Sequence, residues 1–210
     1  MPPIPRLYAV VDAASFPDAR SLLAEAESLT SAGCILLQYR NKSGNARLIL
    51  EQARELRRLC RTGVSDPHVP KLIMNDRADL CLAAEFDGVH VGQDDLSPES
   101  VRRIIGPDLW LGLSTHNADQ LQEADWTSAD YLAIGPVFST SSKEKPDPVV
   151  GLEGVRLARS LTRKPLVAIG GITRANAASV IEAGADSVAV ISDLIREPRK
   201  SAEEFLRILR

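Results

Sequence analysis

The hydrophobic pattern of this chain switches period repeatedly. Short, nearly continuous apolar runs rich in β-branched residues recur at intervals of roughly 20 to 30 residues, with segments of helical period between them. The runs are Leu7–Asp12, Ile35–Arg40, Lys71–Asp76, Gly88–Gly92, Trp110–Thr115, Tyr131–Pro136, Leu166–Gly171 and Ser187–Ser192. A strand with one wet face alternates apolar and polar residues. These runs do not, so they predict parallel strands covered on both sides. Between them, Leu22, Leu23, Ala26 and Leu29 form one apolar helical stripe, and Leu48, Ile49, Ala53, Leu56 and Leu59 another. Ser97-Pro98-Glu99 and Thr173 mark helix starts. Gly33, Gly63, Gly106 and Gly184 mark helix ends, where glycine takes the left-handed conformation.

Eight βα units with no linker or low-complexity tract predict an α/β protein: a single (β/α)8 TIM barrel spanning residues 1–210. An open, doubly wound sheet is the alternative. The longest irregular stretch, Val137–Val150, is rich in Ser, Lys and Pro and reads as a functional loop.

Composition narrows the function classes. A net charge of −3 supplies no basic excess to displace counterions from a nucleic-acid backbone. Anionic ligands must therefore be held by locally placed cations and backbone amides. Cys34, Cys60 and Cys81 make neither a CxxC pair nor an even-numbered disulfide framework, and read as reduced, buried thiols. The N-terminus lacks the pattern of a signal peptide, and no apolar run approaches the ~20 residues of a membrane span. The expectation is a soluble, cytoplasmic protein with small-molecule partners, without nucleic acid or membrane; a homo-oligomer is left open.

In a barrel of this kind the chemistry lies where strands end. The predicted ends carry Gln38–Lys42, Asn75-Asp76, Gly92–Asp95, Ser114–His116, Gly135-Pro136, Gly170-Gly171 and Ile191-Ser192, with Thr140–Lys143 in the long loop. Asp76 and the Asp94-Asp95 pair read either as helix caps or as ligands of a hard cation. Their place on neighbouring strand ends, with no equally placed His or Cys, favours Mg²⁺ over zinc. Arg40, Lys42 and Lys143 bring cations to the same face, Arg40 as a bidentate phosphate grip and the lysines as mobile point charges. Gly170-Gly171 before Thr173 offers bare amides to a phosphate, and Ile191-Ser192 precedes a short helical piece, Asp193–Arg196. His116 reads either as a general base or, preferably, as a cap for the helix beginning at Asn117. His90 and His68 read as structural. No Ser-His-Asp order and no GxGxxG is present.

Seven segments in a fixed order carry a resemblance. They are Gln-x-Arg-x-Lys at Gln38–Lys42, Asn75-Asp76, Gly-Val-His-x-Gly-Gln-Asp-Asp at Gly88–Asp95, Gly-x-Ser-x-His at Gly112–His116, the Gly-Pro-led loop Gly135–Lys143, Ile169–Ile172 and Ile191-Ser192. Together they resemble the thiamine-phosphate synthase family, and the likeness runs from Tyr8 to Ser192. It implies a Mg²⁺-dependent transferase of thiamine biosynthesis that joins hydroxymethylpyrimidine diphosphate to a thiazole phosphate, carboxylated or not, with release of diphosphate. It further implies that Gln38, Arg40, Lys42, Asn75, Ser114 and Lys143 hold the pyrimidine diphosphate. Lys143, Ser114 and Lys42 would be catalytic, Asp76 and Asp95 would bind Mg²⁺, and Asp94 would be a more variable neighbour. Thr140, Ser142, Gly171, Ile191 and Ser192 would hold the thiazole phosphate. Two positions depart from the family pattern: Asn41 replaces a glutamate and Ser142 a threonine. A thiazole tautomerase of the same fold, using His116, and a non-catalytic thiazole-phosphate module are the competing readings.

Overall fold

A computed structural model describes residues 3–61, 69–140 and 147–210. Eight parallel strands close into a barrel in the order of the chain, β1 through β8, with β8 pairing back onto β1. The strands are β1 (Leu7–Asp12), β2 (Leu36–Arg40), β3 (Lys71–Asn75), β4 (Gly88–Val91), β5 (Trp110–Thr115), β6 (Tyr131–Ile134), β7 (Leu166–Ile169) and β8 (Ser187–Val190). The helices are α1 (Ala19–Ser31), α2 (Ala46–Arg61), α3 (Ala78–Ala83), α4 (Pro98–Ile105), α5 (Ala118–Asp125), α6 (Gly151–Leu161), α7 (Ala177–Glu182), a short α8 (Ser192–Ile195) and α9 (Pro198–Ile208). The closed barrel replaces the open-sheet alternative. No helix among the described residues is long and apolar enough to cross a membrane.

The unbroken apolar character of the strands comes from two cores that share them. Successive side chains point to opposite faces. Leu37, Tyr39, Leu72, Met74, Leu111 and Leu113 point outward into the shell of helices. Tyr8, Val10, Leu36, Ile73, Tyr131, Ala133 and Val167 point inward and fill the barrel. Of the predicted helical stripes, Leu22, Ala26, Leu29, Ile49, Ala53 and Leu56 are buried, whereas Leu48 is exposed at the edge of its stripe. All three cysteines are buried, free thiols, as expected.

Several predicted boundaries shift. Six strands are one or two residues shorter than their apolar runs, mostly because the last residues turn into the mouth. Asp76, for example, is left-handed at φ 62°, as are Gly170 at φ 99° and Gly171 at φ 63°. Thr173 does not start a helix; α7 begins after Asn176, whose Oδ1 accepts from the Thr173 N–H at 2.8 Å. The predicted end at Gly63 lies outside the described residues.

A clamp recurs three times at the opposite end of the barrel. Asp87, Asp130 and Asp186 stand immediately before β4, β6 and β8. Each carboxylate accepts the backbone N–H of the preceding strand's Leu72, Leu111 or Leu166, at 2.8 Å in all three cases. Each also pairs with an arginine of the preceding even-numbered helix: Arg61 at 2.8 Å, Arg102 at 2.6 Å and Arg159 at 2.7 Å. Charge-assisted bonds to both a strand and a helix fix the register of each βα pair. The mouth residues inherit their positions from that register.

One buried charge works against the fold. Glu25 faces inward from α1 and is only 6% exposed, and burial pushes its carboxyl from 4.5 up to about 7. The folded state therefore prefers the protonated acid. Below the unfolded value the acid is protonated in both states and nothing is lost; stability falls as pH rises from about 4.5 through 7. Glu25→Gln should stabilise the protein by up to about 3 kcal/mol at pH 8 and by much less at pH 4. Chemical denaturation at the two pH values measures this, and an equal gain at both would contradict it.

Candidate active site

The C-terminal ends of the strands surround a cavity of about 540 Å³, within the range of small-molecule sites. Of the residues predicted from sequence, Gln38, Arg40, Lys42, Asn75, Asp76, Asp95, Ser114, Thr140, Gly171, Ile191 and Ser192 all line it. Ser142 and Lys143 lie outside the described residues.

The acidic side is built from β3 and β4. The left-handed turn at Asp76 is held by its N–H, which donates to the His90 carbonyl at 2.8 Å. Aspartate tolerates this conformation better than most residues. Asp95 curls back so that its carboxylate accepts the Gly92 N–H at 2.7 Å. The two carboxyl groups come within hydrogen-bonding distance of each other, and Lys42 Nζ reaches Asp76 Oδ2 at 2.7 Å. Burial raises the Asp76 carboxyl above its ordinary range; Lys42 opposes that shift and Asp95 adds to it. The alternative reading of Asp76 as a cap fails, because α3 has no side-chain cap.

The basic side departs from expectation. Arg40 lines the cavity, but its guanidinium is ion-paired with buried Asp12. Asn41 turns the other way: its Nδ2 donates to Tyr39 Oη at 3.1 Å and to Gln52 Oε1 at 3.0 Å. The carboxylate missing at position 41 therefore does not set the orientation of Arg40; Asp12 does.

His116 is not a cap. Asn117 caps α5 with its own side chain, while His116 Nδ1 lies 2.7 Å from the Gly135 carbonyl and 3.5 Å from Asp147 Oδ2. An acceptor at that distance requires Nδ1 to carry the proton, so His116 braces the β6 exit.

The thiazole side of the resemblance is shaped by close backbone contact. Val137 N–H donates to Ile169 O at 2.9 Å and Phe138 N–H to Gly170 O at 3.0 Å. A Cβ on Gly171 would stand 2.5 Å from Ser139 O, so only glycine allows this approach.

Sequence reasoning missed the buried floor. His90 is not merely structural: it points inward, with Nε2 2.8 Å from Ser114 Oγ and Nδ1 3.1 Å from Tyr131 Oη. Tyr131 Oη is 2.9 Å from Tyr8 Oη, which accepts from Gln38 Nε2 at 3.0 Å. Burial pushes the His90 imidazole down to about 4, with Asp95 pulling the other way, so the ring is neutral near pH 7. The available signal was spacing: Gln38, His90 and Ser114 share the inward parity of their strands.

Gly112 makes this floor sterically feasible. A Cβ there would lie 2.2 Å from Tyr131 Cζ and 2.3 Å from His90 Nδ1.

The chain matches the family model described as thiamine monophosphate synthase over residues 7–194. It is 59% identical over 209 residues to a thiamine-phosphate synthase of Koribacter versatilis, covering 98% of this chain and 96% of the relative. It is 45% identical to a thiamine-phosphate synthase of Chloroflexus aurantiacus, over 90% of this chain and 85% of the relative. Among solved structures, the thiamine phosphate pyrophosphorylase from Pyrococcus furiosus superimposes with a TM-score of 0.83 at 34% identity, covering 97% of this chain and 95% of that one. Neither the tautomerase nor the binding-module reading is supported by these likenesses.

Gly112→Ala should destabilise the protein by about 1–3 kcal/mol and abolish the geometry of the floor. Thermal unfolding together with activity checks this; a variant as stable and active as the parent would refute the role given to Gly112. With the barrel, its lined cavity and these relatives taken together, the chain belongs to the thiamine monophosphate synthase family.

Proposed function

We propose that this protein joins hydroxymethylpyrimidine diphosphate to a thiazole phosphate, giving thiamine phosphate and diphosphate. The observation that carries the reading is the convergence of Lys42, Asp76 and Asp95 beside Ser114 in one cavity of a chain from this family. In the reaction the carbon–oxygen bond between the pyrimidine's methylene and the diphosphate breaks, and the electron pair leaves with diphosphate. The thiazole nitrogen then donates its lone pair to the methylene, forming the carbon–nitrogen bond. No general base is consumed. The protein must align two partners and stabilise departing charge, which positioned cations and hydroxyl donors do.

Asp76 and Asp95 fit Mg²⁺. They offer oxygen donors only, and they are paired within hydrogen-bonding distance. Among the described residues no group of three or more His, Cys, Asp or Glu gathers for a metal, so this pair would leave most of the ion's shell to water and diphosphate. When bound, Mg²⁺ would add positive charge to the departing diphosphate. Lys42 and Ser114 then contribute a cation and a hydroxyl donor to the same group, and Gln38 and Asn75 orient the pyrimidine. Arg40 keeps its pairing with Asp12 and presents the rest of its guanidinium to the cavity. Gly171, Ile191, Ser192 and Thr140 hold the thiazole phosphate. The family likeness adds Ser142 to that set and Lys143 to the diphosphate set.

Mixing both substrates with Mg²⁺ should yield diphosphate and thiamine phosphate in equal amounts, and chelation of the metal should stop both. Asp95→Asn should lower turnover by about a hundredfold or more, since a lost metal ligand removes several kcal/mol of transition-state stabilisation. Product formed at the parent rate with excess chelator would refute the metal assignment. No product under any condition would refute the function.

A further inference from the structure

Five side chains form one unbranched hydrogen-bonded chain beneath the cavity: Gln38, Tyr8, Tyr131, His90 and Ser114, linked at 3.0, 2.9, 3.1 and 2.8 Å. Its two ends, Gln38 and Ser114, line the cavity, as do Tyr8 and His90 along its floor, yet Tyr8 and Tyr131 are about 1% exposed or less and His90 is buried. Each tyrosine has one proton to give, and a neutral imidazole has one N–H and one bare nitrogen. Such a chain is fully satisfied in only two ways. In the first, Gln38 donates to Tyr8, Tyr8 to Tyr131, Tyr131 to His90 Nδ1, and His90 Nε2–H to Ser114. The second reverses every bond and turns the Gln38 amide over.

The two arrangements present opposite faces to a ligand. The first leaves the Gln38 carbonyl oxygen as an acceptor and frees the Ser114 hydroxyl to donate. The second offers an amide N–H₂ at Gln38 and only lone pairs at Ser114. A mixed state leaves a buried polar atom unpaired, which is strongly disfavoured.

We propose that this chain is a polarity relay in which Tyr8, Tyr131 and His90 act as positioning residues, so that recognition of an amino group at Gln38 and of diphosphate at Ser114 are one event. The inference rests on the proposed substrate, whose aminopyrimidine end needs an acceptor and whose diphosphate end needs a donor. Both demands select the first arrangement. A molecule carrying only one of the two groups gains only part of that coupling, so the relay discriminates for the intact pyrimidine diphosphate over its fragments.

Two measurements test it. Nitrogen-15 spectra of the histidine-labelled, ligand-bound protein should show His90 with a bare Nδ1 and a protonated Nε2; a protonated Nδ1 would overturn the assignment. This readout does not depend on turnover. A double-mutant cycle of Gln38→Ala and Ser114→Ala, read as the dissociation constant of pyrimidine diphosphate, should then show coupling of about tenfold. That coupling should vanish on a Tyr131→Phe background, which keeps the ring but removes the link, and equally on Tyr8→Phe. Additive effects of Gln38→Ala and Ser114→Ala in the parent, or coupling that survives both phenylalanine variants, would overturn the relay. A protein that shows the coupling yet forms no thiamine phosphate would instead refute the catalytic reading alone.

Discussion

Asp76 and Asp95 are brought within hydrogen-bonding distance of each other by the turns that carry them. The left-handed turn at Asp76 is locked by its bond to the His90 carbonyl, and the Asp95 carboxylate is tied to the Gly92 amide. Burial raises the Asp76 carboxyl most, the nearby Asp95 adds to that shift, and the half-exposed Lys42 opposes it. On the proposed function, a divalent cation with an anionic ligand would offset the negative charge gathered here. In that reading the mouth of the barrel is arranged around charges that arrive with its substrates.

The rest of the barrel keeps that pair in place. Below the cavity, Leu36, Ile73 and Val167 fill the interior and the hydrogen-bonded chain from Gln38 to Ser114 crosses the floor. At the far end, the three aspartate clamps hold odd strands, even strands and helices in register. The carboxylate clamps and the acidic pair use the same residue type to opposite ends. Each clamp aspartate finds an arginine and a backbone amide, whereas Asp76 and Asp95 share one lysine, one backbone amide and each other.

Much of this was legible in the chain. Apolar runs with no alternation announced parallel strands covered on both faces, and the eight of them closed as expected because outward residues such as Leu37 and Leu72 meet helices while Leu36 and Ile73 fill the barrel. Polar strand ends located the mouth, and most predicted lining residues meet there. The errors have physical causes. Apolar pattern cannot show where a strand turns, so Ile191 and Gly171 were assigned to strands although the chain had already bent. Local spacing could not reveal that Asn117 caps α5 while His116 reaches Gly135, because that bond joins residues 19 apart. The partners of His90 lie 24 and 41 residues away, beyond the reach of any helical or strand period. Asn41, conspicuous as a departure from the family pattern, proved to face Gln52 and not the site.

If Asp76 and Asp95 share a cation with the diphosphate, as proposed, metal and anion should bind as a pair, each tightening the other by the same factor. Titration calorimetry with Mg²⁺ and inorganic diphosphate, separately and together, measures this most directly. The account predicts weak binding of either alone and at least tenfold tighter binding of each in the presence of the other, with the synergy lost in Asp76→Asn, which keeps the left-handed turn. Diphosphate binding that is equally tight with the metal chelated would contradict it.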